Sequence, residues 1–271
     1  MSAPRSISGA APAKINLGLA VGPLRPDGLH EVATIMQRLD LADTISLEPA
    51  AALTVEGFAG DTLVRAALEA LAGAAGVEPR WRARIDKQVP VSAGLGGGSS
   101  DAASALRLGN ALLAEPLPPA RLGGLARGLG SDVPFFLESG AKLATGDGTT
   151  LEPADLPRNY SVVLLLAHGA HKPSTASVYA RFDRAAGFEE RRARLRALAA
   201  AGQRADLGAL PGNDLARSPH CERLRALGAF HAAVSGAGPT VYGLFADRER
   251  AAQARAALGE LGSTWLAAPA W

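Results

Sequence analysis

Apolar and polar residues alternate over residues 13–21, where Ala13, Ile15, Leu17, Leu19 and Val21 are separated by Lys14, Asn16, Gly18 and Ala20. A period of two predicts a half-buried strand, with Lys14 and Asn16 sharing the face opposite the apolar one. Arg25-Pro26-Asp27-Gly28 reads as a turn, because proline presets φ and glycine accepts a positive φ. Further strands are expected at residues 39–47 and 53–55, and an Ala/Leu-rich helix at 63–75. Trp81, Ala83, Ile85, Lys87, Val89 and Val91 alternate again and predict a strand up to Pro90. Ala102, Ala105, Leu106, Leu112 and Leu113 have helical spacing, with Ser99, Ser100 and Asp101 as candidate N-caps. Pro116, Pro118 and Pro119 end that helix, and a short Leu/Gly/Arg helix follows. Past residue 150 the pattern restarts. Residues 151–158 read as a loop, 162–167 as a buried strand and 188–201 as an amphipathic helix. Strands at 232–234 and 241–245 flank the turn Ser235-Gly236-Ala237-Gly238-Pro239, and a last helix covers 247–258. These patterns place a domain boundary near residue 155, giving domains 1–155 and 156–271.

Composition narrows the class. Of 271 residues, 48% are apolar and 20% charged, as expected of a folded globular chain. The isoelectric point is near 8.9, yet the net charge is only +2. The one basic cluster, residues 191–196, has the spacing of a solvated helix face. Aromatic residues make up 5%, too few for base stacking along a nucleic acid, so no nucleic-acid partner is expected. Cys221 is the only cysteine, which excludes an intrachain disulfide and argues against a thiolate metal site. No apolar run reaches the roughly 18–20 residues of a membrane span, and the N-terminus lacks a signal-peptide core. A cytoplasmic location without a membrane partner is the expectation.

The candidate chemistry lies between the second alternating strand and the helix after it. Pro90-Val91-Ser92-Ala93-Gly94-Leu95-Gly96-Gly97-Gly98-Ser99-Ser100 joins them. Three consecutive glycines let several backbone N–H groups turn toward one anion, and the helix start adds the positive end of its dipole. Such a loop suits phosphate; a flexible glycine hairpin is the plain alternative. It lacks the Gly-Lys-Ser/Thr ending of a Walker A loop, and Ser99 stands where a dinucleotide fingerprint ends in Gly or Ala.

The stretch from Pro90 to Asp101-Ala102-Ala103 resembles the ATP-binding motif of the galactokinase/homoserine kinase/mevalonate kinase/phosphomevalonate kinase superfamily. Val234-Ser235-Gly236-Ala237-Gly238-Pro239-Thr240 resembles its C-terminal glycine motif. Pro12-Ala13-Lys14-Ile15-Asn16-Leu17, Arg25-Pro26-Asp27-Gly28-Leu29-His30-Glu31 and Leu129-Gly130-Ser131-Asp132-Val133-Pro134-Phe135 match the branch that acts on a cytidine-diphosphate-linked alcohol. The resemblance implies an α+β fold, with a ribosomal-protein-S5-like N-terminal domain and a ferredoxin-like C-terminal domain. It implies an enzyme that transfers the ATP γ-phosphoryl group to the 2-hydroxyl of that alcohol, in the non-mevalonate route to isoprenoid precursors. Asp132 is then the proton acceptor and Lys14 its partner cation, and residues 90–100 hold ATP. Asn16, His30, Thr175 and Tyr179 bind the substrate, with Tyr179 against cytosine. Mg2+ is expected with ATP, held by phosphates and water, with its protein ligands unassigned. The state is expected to be monomer or homodimer.

Three positions depart from the pattern. Leu29 stands where an aromatic usually precedes the histidine, Asp61-Thr62 where paired asparagines are usual, and Ala237 where a hydroxyl is frequent. Leu29 and Ala237 leave a homoserine or other small-alcohol kinase as the enzyme alternative; the isoelectric point and the S5-like domain leave a non-catalytic nucleotide-binding protein, or an RNA-binding one, as the alternative of another class.

Overall fold

The computed structural model describes residues 6–171, 174–182 and 186–271. In chain order they form β1 (Ile7–Leu24), β2 (His30–Pro49), β3 (Thr54–Glu56), α1 (Leu63–Ala75), β4 (Trp81–Asp86), α2 (Gly97–Leu112), α3 (Pro119–Leu129) and α4 (Val133–Leu137). There follow β5 (Ala141–Gly146), β6 (Thr150–Ala154), β7 (Ser161–Ala167), α5 (Thr175–Ala180), α6 (Phe188–Ala201) and α7 (His220–Ala226). The chain ends with β8 (His231–Val234), β9 (Val241–Phe245), α8 (Arg248–Ala257), β10 (Gly262–Ala267) and β11 (Pro269–Ala270). Two compact units result: one of residues 6–13, 41–91 and 96–139, the other of residues 14–40, 92–95 and 140–271.

In the first unit β4 alternates as expected, with Trp81, Ala83 and Ile85 buried between exposed Arg82, Arg84 and Asp86. It pairs antiparallel with the end of β2, from Thr44↔Asp86 to Pro49↔Trp81, and parallel with β3. The helix α1 buries Val64, Ala67, Leu68, Leu71 and Ala72, one stripe at helical spacing. Asp61 caps it, its two carboxylate oxygens accepting from the Val64 and Arg65 N–H groups at 3.0 and 3.1 Å. The departure at Asp61 therefore has a local structural use. Against α1 lies α2, so close that a Cβ on Gly109 would stand 2.5 Å from Leu71 Cδ2.

In the second unit the start of β2 pairs with β5, and β5 with β6, both antiparallel. Residues 151–154, expected as part of a loop, thus belong to an edge strand. Pro153 is tolerated there because an edge strand needs hydrogen bonds on one side only. The segment from β7 to β10 forms a four-stranded antiparallel sheet in the order β10-β7-β9-β8. Helices precede β8 and β10, and β8 and β9 form a hairpin, so the topology is βαββαβ, the ferredoxin-like arrangement. Its core joins Val163, Leu165, Leu224, Val234, Val241, Phe245 and Leu258, and encloses Cys221.

The strand β1 departs from expectation, since it is buried on both faces over residues 14–22. The second covering comes from elements distant in sequence. Gly18 is pressed against Pro211 and Leu195, and Gly22 against the Phe188 ring, where a Cβ would come within 2.9 Å.

Candidate active site

The phosphate-loop segment is distributed over both units. In the first, α2 starts at Gly97 with Gly96 as its N-cap at φ +72°, and no side chain caps it. Ser99, Ser100 and Asp101 are therefore inside the helix and not at the cap. A helix start with no capping side chain is one at which an anion can satisfy the first N–H groups. At this end of α2 three charged groups meet, a cluster that no sequence pattern predicted. Lys87 Nζ donates to Asp43 Oδ2 at 2.5 Å and to Asp101 Oδ2 at 2.8 Å. Burial pushes the Asp101 carboxyl up to about 7, against the opposing pull of Lys87. Asp132, in the same unit, immediately precedes α4 in αR conformation, and its side chain makes no capping bond to that helix.

In the second unit Lys14 Nζ donates to Asn16 Oδ1 at 2.8 Å, Asn16 Nδ2 to Thr34 Oγ1 at 3.0 Å, and Thr34 Oγ1 to the Gly18 carbonyl at 2.7 Å. All three side chains are nearly closed to solvent, at 4–5% exposure. A relay fixed in this way holds an ammonium in a dry place with a set direction, which favours nearby negative charge. Tyr242 adds to it by donating its hydroxyl to the Asn16 carbonyl at 2.9 Å.

The C-terminal glycine turn lies directly on this relay. A Cβ on Gly236 would stand 3.1 Å from Asn16 Oδ1 and 3.8 Å from Lys14 Nζ. The same turn supports Ala93 and Gly94: Ser235 Oγ donates to Gly94 O at 2.9 Å, and Thr240 N to Ala93 O at 3.2 Å. Gly94, at φ +82°, has no room for a side chain, since a Cβ would fall 2.4 Å from Ser235 O. Asn213 secures the turn from below, Nδ2 donating to Val234 O at 2.8 Å and Gly236 O at 2.6 Å. Its Oδ1 accepts from Leu215 N at 2.8 Å. Thr34, Asn213 and Ser235 are contributors that the sequence reasoning missed; only Ser235, within a recognised motif, carried a signal.

His30 donates Nδ1–H to the Gly22 carbonyl at 2.9 Å, because a carbonyl only accepts, which leaves Nε2 the acceptor in the neutral ring. Its ring lies 6.1 Å from that of Tyr179 and 5.5 Å from Phe182. Thr175 and Tyr179 are four apart on α5, hence on one face, and Ser174 with Ser177 forms a capping box at its start. Tyr179 packs against a small cluster of Leu19, Val21 and Val32. Leu29 beside His30 is 53% exposed. A cavity of about 760 Å³ in this unit is lined by Val178, Arg181, Phe182, Arg217, Ala237 and Pro239, among others. Among the described residues no group of three or more His, Cys, Asp or Glu is placed to hold a metal ion.

Comparison with known proteins identifies two family domains: GHMP kinases N terminal domain at residues 62–140 and GHMP kinases C terminal at 220–264. The chain is 41% identical over 270 residues to the 4-diphosphocytidyl-2-C-methyl-D-erythritol kinase of Pelotomaculum thermopropionicum, covering 92% of this chain and 93% of that one. The enzyme of the same name from Rhodococcus jostii is 40% identical, with 96% and 90% covered. A crystal structure of 4-(cytidine 5'-diphospho)-2C-methyl-D-erythritol kinase superposes with a TM-score of 0.81 at 34% identity, covering 98% of this chain and all of the other. A homoserine kinase from Cytophaga hutchinsonii has a TM-score of 0.78 at 16% identity over 100% of this chain and 97% of the other, a likeness of fold alone.

Proposed function

The chain belongs to the 4-diphosphocytidyl-2-C-methyl-D-erythritol kinase family, and from that membership we infer that it transfers the γ-phosphoryl group of ATP to the 2-hydroxyl of that compound. The observation that supports the reading is the buried Lys14–Asn16 pair beneath Gly236; in this reading the Lys14 ammonium meets the charge that develops during transfer.

Phosphoryl transfer needs alignment and charge neutralisation more than covalent chemistry. In this reading the substrate hydroxyl gives its proton to the Asp132 carboxylate as its oxygen bonds to the γ-phosphorus. The bond from that phosphorus to the β,γ-bridging oxygen breaks, and ADP leaves. Lys14 stabilises the developing alkoxide, and Asn16 holds the substrate. Residues Pro90 to Ser100 cradle the phosphates through backbone N–H groups, with the first turn of α2 as the anion end. Mg2+ would arrive with the nucleotide, held by its phosphates and water, and would neutralise their charge.

His30, Thr175 and Tyr179 bind the cytidine end. Leu29 offers an exposed apolar contact where an aromatic would stack. Arg181 and Arg217 at the cavity suit the diphosphate of such a substrate. The same reading divides the chain at residue 155, with the two matched family domains on either side. It places the protein in the cytoplasm as a monomer or homodimer. No described helix is long and apolar enough to cross a membrane.

The test is ADP release from the full chain with ATP, magnesium and 4-diphosphocytidyl-2-C-methyl-D-erythritol, beside Asp132→Asn. Loss of a general base predicts a fall in kcat of about 10²–10⁴, with ATP binding retained. A wild type that turns over homoserine and leaves the cytidylyl compound untouched sinks the substrate assignment.

A further inference from the structure

Lys87 is unused by the reaction just described, yet its surroundings are specific. One carboxylate partner, Asp43, is fully buried and spends its other oxygen on the backbone N–H groups of Gln88 and Val89, at 2.5 and 2.8 Å. Asp43 thereby fixes the chain where it leaves β4 for the glycine loop. The other partner, Asp101, is the fifth residue of α2, and its second oxygen is buried without a hydrogen-bond partner. Its hold on the surrounding structure therefore passes through Lys87. Gly97, the first residue of α2, rests on the pair: a Cβ there would lie 3.3 Å from Lys87 Nζ and 3.4 Å from Asp43 Oδ2. The Phe58 ring, 5.8 Å from the ammonium, lies over the group.

One ammonium thus ties the strand that enters the phosphate loop to the helix that leaves it. We propose that Lys87, bridging Asp43 and Asp101, is a positioning residue for the nucleotide. It holds the first turn of α2 so that its N–H groups meet the ATP phosphates. The raised Asp101 carboxyl fits this, since burial disfavours its charge and Lys87 is the cation that opposes the rise. The proposal rests on residues 96–100 binding phosphate.

The experiment uses the full chain with Lys87→Met, Lys87→Arg and the double variant Lys87→Met/Asp101→Asn. The double variant relieves the orphaned carboxylate if Lys87→Met alone does not fold. Each is measured for ADP binding, adenosine binding, KM for ATP and KM for the alcohol. Loosening the turn predicts ADP binding weakened and KM for ATP raised by about 10- to 100-fold. Adenosine binding and the KM for the alcohol stay near wild type. Lys87→Arg, which still bridges two carboxylates, recovers most of the loss, and the folded double variant keeps the ADP defect. A cooperatively unfolding Lys87→Met or double variant that binds ADP like wild type overturns the proposal. Failure of the underlying reading looks different: wild type itself would bind ADP no better than adenosine.

Discussion

Gly94 and Gly28 share the same positive φ, +82°, in opposite surroundings, and an alanine at each separates two costs of adding a side chain. At Gly28 a Cβ meets nothing within 4 Å. Gly28→Ala therefore carries the left-handed backbone cost alone, about 1–2 kcal/mol. At Gly94 the Cβ would stand 2.4 Å from Ser235 O and 2.9 Å from Gly238 O. Reaching ordinary contact requires the Ser235 carbonyl to retreat by about 1 Å. Retreat pulls apart the Ser235 Oγ–Gly94 O and Thr240 N–Ala93 O bonds. Those are worth about 1 kcal/mol each, net of water. Gly94→Ala should then cost about 3–4 kcal/mol, and Gly28→Ala about half or less of that. For a chain of this size each kcal/mol lowers Tm by about 2–4 °C, so the expected losses are about 6–16 °C and about 2–8 °C. Thermal unfolding of both variants in one buffer is the assay. Equal losses would refute the argument, because they would show that the two carbonyls do not confine Gly94.

Asn213→Ala removes the support of the same turn and leaves the Val234 and Gly236 carbonyls short of a donor, which should cost about 2–4 kcal/mol in denaturant unfolding. His231 is buried and held neutral, its pKa lowered to about 4 by burial and then by the Arg225 charge. The folded chain therefore binds fewer protons than the unfolded one between about pH 4 and 6.5, and this contribution is present above pH 6.5 and lost as pH falls toward 4. The loss is of order 3 kcal/mol, and His231→Gln should flatten that limb of the stability curve relative to wild type. Tyr179→Leu should raise KM for the cytidine-linked substrate roughly 5- to 150-fold, the worth of about 1–3 kcal/mol of base stacking. KM for ATP should be unmoved and Tyr179→Phe close to wild type; an unchanged KM in Tyr179→Leu would remove Tyr179 from the cytidine site.

Much of the fold was legible because it is written in local periods. Helices over 63–75 and 188–201 and the strand at 241–245 lie where apolar spacing placed them. The strand, glycine loop and helix around residues 81–112 were legible too, since alternation and consecutive glycines are local properties. Short elements were not: α4, α5 and α7 have five to seven residues, too few to establish a period. The cap at the start of α2 falls on Gly96, not on Ser99, Ser100 or Asp101; these are ordinary capping residues, but they lie inside the helix, where Asp101 accepts from Lys87.

The sequence by itself determined the alternation that puts Lys14 and Asn16 together, the glycines that permit an anion-binding turn, and the order of motifs that marks the family. A spacing of two along a strand suffices to bring Lys14 Nζ to Asn16 Oδ1. Only the tertiary structure decided that this face is buried, because its covering comes from Pro211, Leu195, Phe188 and Gly236, far along the chain. It alone brought Asp43 to Lys87, 44 residues apart, and Asn213 to the turn at Gly236. Each of these polar groups is an unremarkable singleton in sequence. Burial removes water as a partner, so such groups must find one another, and which ones meet is set by how the strands and helices pack.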